Sequence, residues 1–255
     1  MTKPPIDPTA AASGSFAQSV ERHFPGALPS GDYLQRVRRT IEPLGFLPSR
    51  TLPLVSICRD ELTTTFFDAI EHEWGLAFTL AGLGGVPALG RTGWKAALSH
   101  VPDVDGRGSV LVFGFPHIGI EADGTIGVTV RRGQMSPTAT CGALASIFDL
   151  AQAGQLPTEI DFDDFEATRL AIRLVDRRVP PASLVDLTVS ALDALEVDLW
   201  RAIDEAQVWR DHDVTIWCGV QIHAHGEQDW IWPRDAWYAG SDGHRRRFPP
   251  DGGPV

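Results

Sequence analysis

Long apolar runs are missing from this chain of 255 residues. None reaches the roughly 20 residues that a helix needs to cross a bilayer, so no membrane-spanning helix is expected. The first residues, MTKPPIDPTAAASGSF, lack the apolar central segment of a secretory signal, and the cytoplasm is the expected compartment. Positive charge is also scarce. With 22 Lys and Arg against 33 Asp and Glu, the net charge is -11. Such a surface repels phosphate backbones and offers no basic face to anionic lipid, so neither nucleic acid nor membrane is an expected partner. Three cysteines do not make a disulfide framework. In a reducing compartment they serve as ligands or as core residues. There is no internal repeat. The glycine-rich stretch AGLGGVPALG has neither the Lys-Ser/Thr of a P-loop nor the spacing of a dinucleotide fingerprint.

What is present reads as one domain. At 43% hydrophobic and 22% charged, the chain can bury a single large core. Residues 1–15, rich in Pro, Ala, Ser and Thr, read as a disordered tail, 16–240 as a single α/β domain, and 241–255 as a loose C-terminal tail. Within 16–41, two helical pieces are separated by Pro25 and Pro29, with Leu34, Val37 and Ile41 at helical spacing. TLPLVSIC (51–58) and SVLVFGFPHIGI (109–120) read as buried strands. Helices are expected over 60–74 (stopped by Gly75), from Trp94, from Cys141 to Gly154, over 162–175 and within 184–211. LAFTLAGLGGVPALG (76–90) starts as a strand and breaks into a glycine loop. EADGTIGVTVRRG reads as a hairpin turning at Asp123–Gly124. VTIWCGVQIHAHG (214–226) alternates as a strand. Buried strands alternating with helices predict an α/β fold whose central sheet is mostly parallel and flanked by helices.

Three ligand types stand at element ends. Cys58 closes the first buried strand, His117 ends the FGFPH run, and Cys141 opens a helix. In α/β sheets, sites form where strand ends meet loops and helix starts. A helix N-terminus also lowers a thiol pKa toward the thiolate that a metal needs. Two thiolates and an imidazole leave a fourth position open, as catalytic zinc sites do. The plain alternative is a pair of core thiols and a structural histidine, since no C-x-x-C spacing links the three.

The segments SICRDE, FGFPHIGIEADGTIGVTVRRGQ and TCGALA resemble the LCIB family, the limiting-CO2-inducible B/C proteins, relatives of the β-carbonic anhydrases. The resemblance is close over about residues 50–150. It implies a β-carbonic-anhydrase-like fold and zinc held by Cys58, His117 and Cys141, with Asp60 as acidic partner. It also implies a homodimer and reversible hydration of CO2 to bicarbonate by a zinc-bound hydroxide. Zinc lowers the pKa of bound water from about 16 to about 7. In related enzymes an Arg holds the Asp away from the metal, two residues after it, but position 62 is Leu. Arg59, Arg91, Arg131 or Arg132 could take that role, and Arg91 in GVPALGRTG is the favoured choice. If none does, Asp60 would close the site, and the chain would be a non-catalytic inorganic-carbon binding or assembly protein.

A rival site lies in HAHGE. His223 and His225, two apart on one strand, would share a face, with Glu227 two residues on. The set resembles a cupin-type metal site without its later ligands. Cys218 beside Trp217 reads as a core thiol. The Trp230, Trp232 and Trp237 cluster reads as a packing lid or dimer contact.

Overall fold

The computed structural model of the chain describes residues 15–176 and 179–249. Most of the expected N-terminal tail and the last six residues therefore lie outside the described residues. Ser15, the first described residue, caps α1 (Phe16–His23), its hydroxyl accepting from the Gln18 amide. A two-residue strand, β1 (Leu28–Pro29), precedes α2 (Ser30–Ile41), which buries Leu34, Val37 and Ile41 at the expected spacing.

The sheet is built on β2 (Thr51–Ile57), all seven residues of which are buried. After it come α3 (Thr64–Trp74), a short β3 (Phe78–Thr79) and α4 (Arg91–Leu98). Next are β4 (Gly108–Phe115) and β5 (His117–Gly119). The pair β6 (Val128–Thr129) and β7 (Thr138–Ala139) stands apart as a small two-stranded sheet. Three helices follow, α5 (Gly142–Gln152), α6 (Phe165–Leu174) and α7 (Leu184–Ala206). The chain returns through the long β8 (His212–His223) to β9 (Trp230–Pro233), β10 (Trp237–Ala239) and β11 (Arg245–Arg247).

β3, β2, β4 and β8 run parallel to one another, while β9 and β10 add antiparallel partners to β8. Strand side chains alternate between two cores. Leu52 and Leu54 on β2, Val110 and Val112 on β4, and Val214 and Ile216 on β8 face α4, α5, α6 and α7. Val55 and Ile57, Leu111, Phe113 and Phe115, and Trp217 face Tyr33 and Val37 of α2 and Phe66 and Ile70 of α3. A sheet buried on both faces needs near-continuous apolar strands, and TLPLVSI and SVLVFGF supply them. This is the α/β architecture expected from the sequence.

Three local readings change. The run 109–120 is interrupted at Pro116, which has no N–H to give to the ladder. The register nevertheless carries on, with Gly114 opposite Cys218 and His117 opposite Gln221. The Asp123–Gly124 turn forms, with Gly124 at φ 87° and the Asp123 carboxylate accepting from the Thr125 amide. Its arms, however, meet only at an Ile120–Ile126 bridge, because Val128 and Thr129 pair with Ala139 and Thr138 instead. The expected loose tail is docked through residue 249. Arg245–Arg247 pair with β10, and Phe248 is buried, stacked on Trp217 at 5.2 Å. Aromatic anchors and ion pairs to Asp204, Asp242 and Asp235 hold a stretch that its arginines made look solvated. Among the described residues, no helix is long and apolar enough to cross a membrane.

Candidate metal centre

Cys58 follows directly on β2, so the sheet fixes its backbone. The Thr63 hydroxyl donates to the Cys58 carbonyl at 2.9 Å and to that of Asp60 at 2.9 Å, curling the chain into a tight turn. Asp60 caps that turn by accepting from the Leu62 amide. His117 begins β5, one residue past the Pro116 break. Cys141 is the N-cap of α5, which sets its thiol at the start of that helix. Two glycines permit the approach of these segments. A Cβ on Gly85, at φ 79°, would meet the Phe115 carbonyl at 2.5 Å, and one on Gly119 would collide with the Thr140 side chain.

The three side chains converge. A sulfur from each cysteine and a ring nitrogen of His117 lie within 4.8 Å of one another. Cys58 and Cys141 are 6% and 5% exposed, and His117 is fully buried. The Cys58 thiol is pulled below its ordinary value by its hydrogen bond to Cys141. Cys141 moves the other way, raised by that same bond and by burial.

The orientation of His117 follows from its neighbours. Its Nδ1 lies 3.2 Å from His223 Nε2, and His223 Nδ1 lies 2.7 Å from an Asp229 oxygen. Gln221 donates to the other Asp229 oxygen at 2.9 Å. Burial lowers the His223 pKa, and Asp229 only partly offsets that. A carboxylate can only accept, so neutral His223 donates from Nδ1 and accepts at Nε2. His117 then donates from Nδ1, and its Nε2 carries the lone pair. That Nε2 is buried and has no hydrogen-bond partner among the described residues. A buried ring nitrogen left bare beside two sulfurs is what a zinc ligand set presents. The donor types, their spacing and this orphaned atom all fit the ion.

Asp60 sits beside the triad. Arg131 Nη1 donates to Asp60 Oδ1 at 2.7 Å and Nη2 donates to Oδ2 at 2.8 Å. The same guanidinium reaches the Ala139 and Thr140 carbonyls and the Glu61 carboxylate. It therefore ties the turn after Cys58 to the segment entering Cys141. Burial pushes the Asp60 carboxyl up, but the Arg131 hydrogen bonds and the Leu62 amide outweigh it, leaving the group below the usual carboxylate range. Arg91 does not take this role. It opens α4 and lines a separate cavity with Trp94 and Asp198. The β6–β7 pairing brings Arg131 onto the Ala139 and Thr140 carbonyls, just ahead of Cys141. Arg59, the residue after Cys58, turns away to pair with Glu166.

The rival histidine pair is not a pair. His223 ends β8, buried, whereas His225 lies beyond the strand, its Nδ1 3.0 Å from the Val130 carbonyl. Cys58, His117 and Cys141 are the one group of close potential ligands among the described residues. Cys218 is a core thiol, 1% exposed, raised by burial.

A family model described as limiting CO2-inducible proteins B/C beta carbonic anhydrases matches residues 27–239. The chain belongs to this family. Among solved structures, this limiting CO2-inducible B/C chain is similar to PtLCIB4, a homolog of the limiting CO2-inducible protein LCIB. The two are 26% identical with a TM-score of 0.77, over 91% of this chain and 98% of that one. It is similar to LCIB itself at 28% identity and a TM-score of 0.73, over 89% of this chain and 96% of that one. No curated protein sequence matches it. Two features of this limiting CO2-inducible B/C site went unread in the sequence. Asp229, in the polar stretch GEQDW, gave no periodic signal. His223 was read as part of a separate site, although its place on a buried strand marked it as an inner residue.

Proposed function

We propose that this protein is a zinc-dependent carbonic anhydrase that interconverts CO2 and bicarbonate. Cys58 Sγ, Cys141 Sγ and His117 Nε2 would hold the ion. Zinc, when bound in such a site, lowers the pKa of a water ligand toward neutrality.

The chain's own groups supply the rest. Asp229 and His223 keep the His117 proton on Nδ1. Arg131 holds both Asp60 oxygens in a fork, so the carboxylate is occupied rather than free to swing onto the ligand triad. Oδ1 takes bonds from Arg131 and Leu62, whereas Oδ2 takes one from Arg131. Oδ2 therefore keeps a lone pair with which to accept a proton-bearing oxygen and orient it toward CO2. The Arg131–Asp60 fork is the observation that carries this reading, because a carboxylate engaged at both oxygens is not available to close a fourth position itself. A homodimer in the cytoplasm, with CO2 and bicarbonate as its small-molecule partners, completes the proposal.

The test is stopped-flow CO2 hydration on protein carrying one zinc per chain. Catalysis above the buffer rate, abolished by Cys58→Ser, is expected. The buffer rate alone at full zinc content would turn the assignment to a non-catalytic binder of inorganic carbon.

A further inference from the structure

A cavity of about 320 Å3 lies between α4, α6 and α7 and has no lining residue in common with the metal centre. Its walls carry Arg91 and Lys95 from α4, Arg169 from α6 and Arg201 from α7, against Asp198 and Glu205. That leaves two positive charges in excess, in a chain whose net charge is -11. Asp198, 4% exposed at its side chain, is shared by Arg169 at 3.6 Å, Arg173 at 3.5 Å and Arg201 at 3.0 Å. One carboxylate cannot neutralise three guanidinia. Among the described residues, the side chains of Arg91 and Lys95 have no ion-pair or hydrogen-bond partner.

The placement of these two residues is unfavourable on its own. They stand four apart on one helix, where like charges repel. Arg91 also sits at the first position of α4, against the positive end of the helix dipole. The first turn of α4 carries no acidic residue, and Gly90 gives it no side-chain cap. An anion in the cavity would reverse all three penalties at once. The remaining wall, Leu89, Trp94 and Ala202, is apolar, and the volume lies at the small end of ligand cavities.

We propose that this cavity binds a small organic oxyanion, a carboxylate or a phosphate ester with an apolar body. Its charged group meets Arg91, Lys95 and Arg201, and its body lies on Trp94 and Leu89. The site is independent of the zinc reading.

Calorimetry on the full chain would use phenyl phosphate, benzoate and inorganic phosphate as probes. Saturable binding of phenyl phosphate or benzoate is expected, at least tenfold tighter than that of inorganic phosphate, and the tighter of the two identifies the head group. The double variant Arg91→Gln, Lys95→Gln, both exposed positions, should weaken the organic probe at least tenfold with unchanged circular dichroism. Ala202→Leu, which fills the apolar end, should weaken the organic probes and spare inorganic phosphate. The proposal is overturned by absence of saturation with either organic probe into the millimolar range. It is equally overturned by binding that survives the double variant, or by an Ala202→Leu effect equal for all three probes.

Discussion

Two aspartates in this protein are held by arginines, in opposite ways. Asp60 meets one guanidinium, oxygen to nitrogen twice, at 2.7 and 2.8 Å, with both side chains about 15% exposed or less. Asp198 meets three, through one contact at 3.0 Å and two beyond 3.4 Å, from arginines that are 28% to 59% exposed. The fork fixes where the Asp60 carboxylate points, which a site beside a metal needs. The shared arrangement anchors three helical positions but fixes none closely, and it leaves positive charge over. One geometry positions an acceptor, and the other accumulates a field.

The largest effect is expected at the ligands. Cys58→Ser or His117→Ala should weaken zinc binding by more than about 100-fold, read as metal content after dialysis against a chelator. Binding of organic anions between α4 and α7 should not change, and a joint loss would merge the two regions into one site.

Arg131→Lys keeps the charge but removes the fork. It should cost on the order of 100-fold in CO2 hydration at unchanged zinc content, because a displaced carboxylate no longer orients its partner. The same exchange at Arg201, exposed and singly bonded, should move stability by less than about 0.5 kcal/mol in urea unfolding. Equal effects at the two positions would erase the distinction.

Asp229→Asn should lower zinc affinity about tenfold in a competitive chelator titration, because the amide can donate and so leaves the His223 and His117 tautomers unfixed. Nitrogen-15 shifts of the two rings report this directly. Unchanged shifts would show that Asp229 does not set the tautomers.

A further test concerns α7 itself. Burial, with Asp235 adding to it, pushes the Glu196 carboxyl up to about 7 from an ordinary 4.5. A folded pKa above the unfolded one means that the folded state prefers the proton. This contribution to stability is fully present below 4.5 and is lost as pH rises through about 7. Thermal midpoints should fall across that window, and Glu196→Gln should flatten the fall. A slope unaltered by the variant would place the titration elsewhere.

Much of this could be read along the chain. The strands with Cys58 and His117 announced themselves, because a sheet buried on both faces demands runs such as TLPLVSI and SVLVFGF. Cys141 announced itself at a helix start. The partner of Asp60 did not. Position 62, where the resemblance led one to expect the Arg, is Leu, and Arg131 lies 71 residues away, brought in by pairing that local pattern does not encode. The His223–Asp229 pair was equally hidden, since its meaning depends on which ring nitrogen faces inward.

The layers, the strand ends and the three ligand types are legible along the chain, because burial and periodicity are local and each residue carries its own donor. Which Arg holds Asp60, which nitrogen of His117 is bare, and that Arg91 belongs to another cavity follow from packing alone. These are matters of distance between segments far apart in the chain. A guanidinium reaches whichever carboxylate the packed sheet and helices set within about 3 Å of it, whatever their separation in sequence.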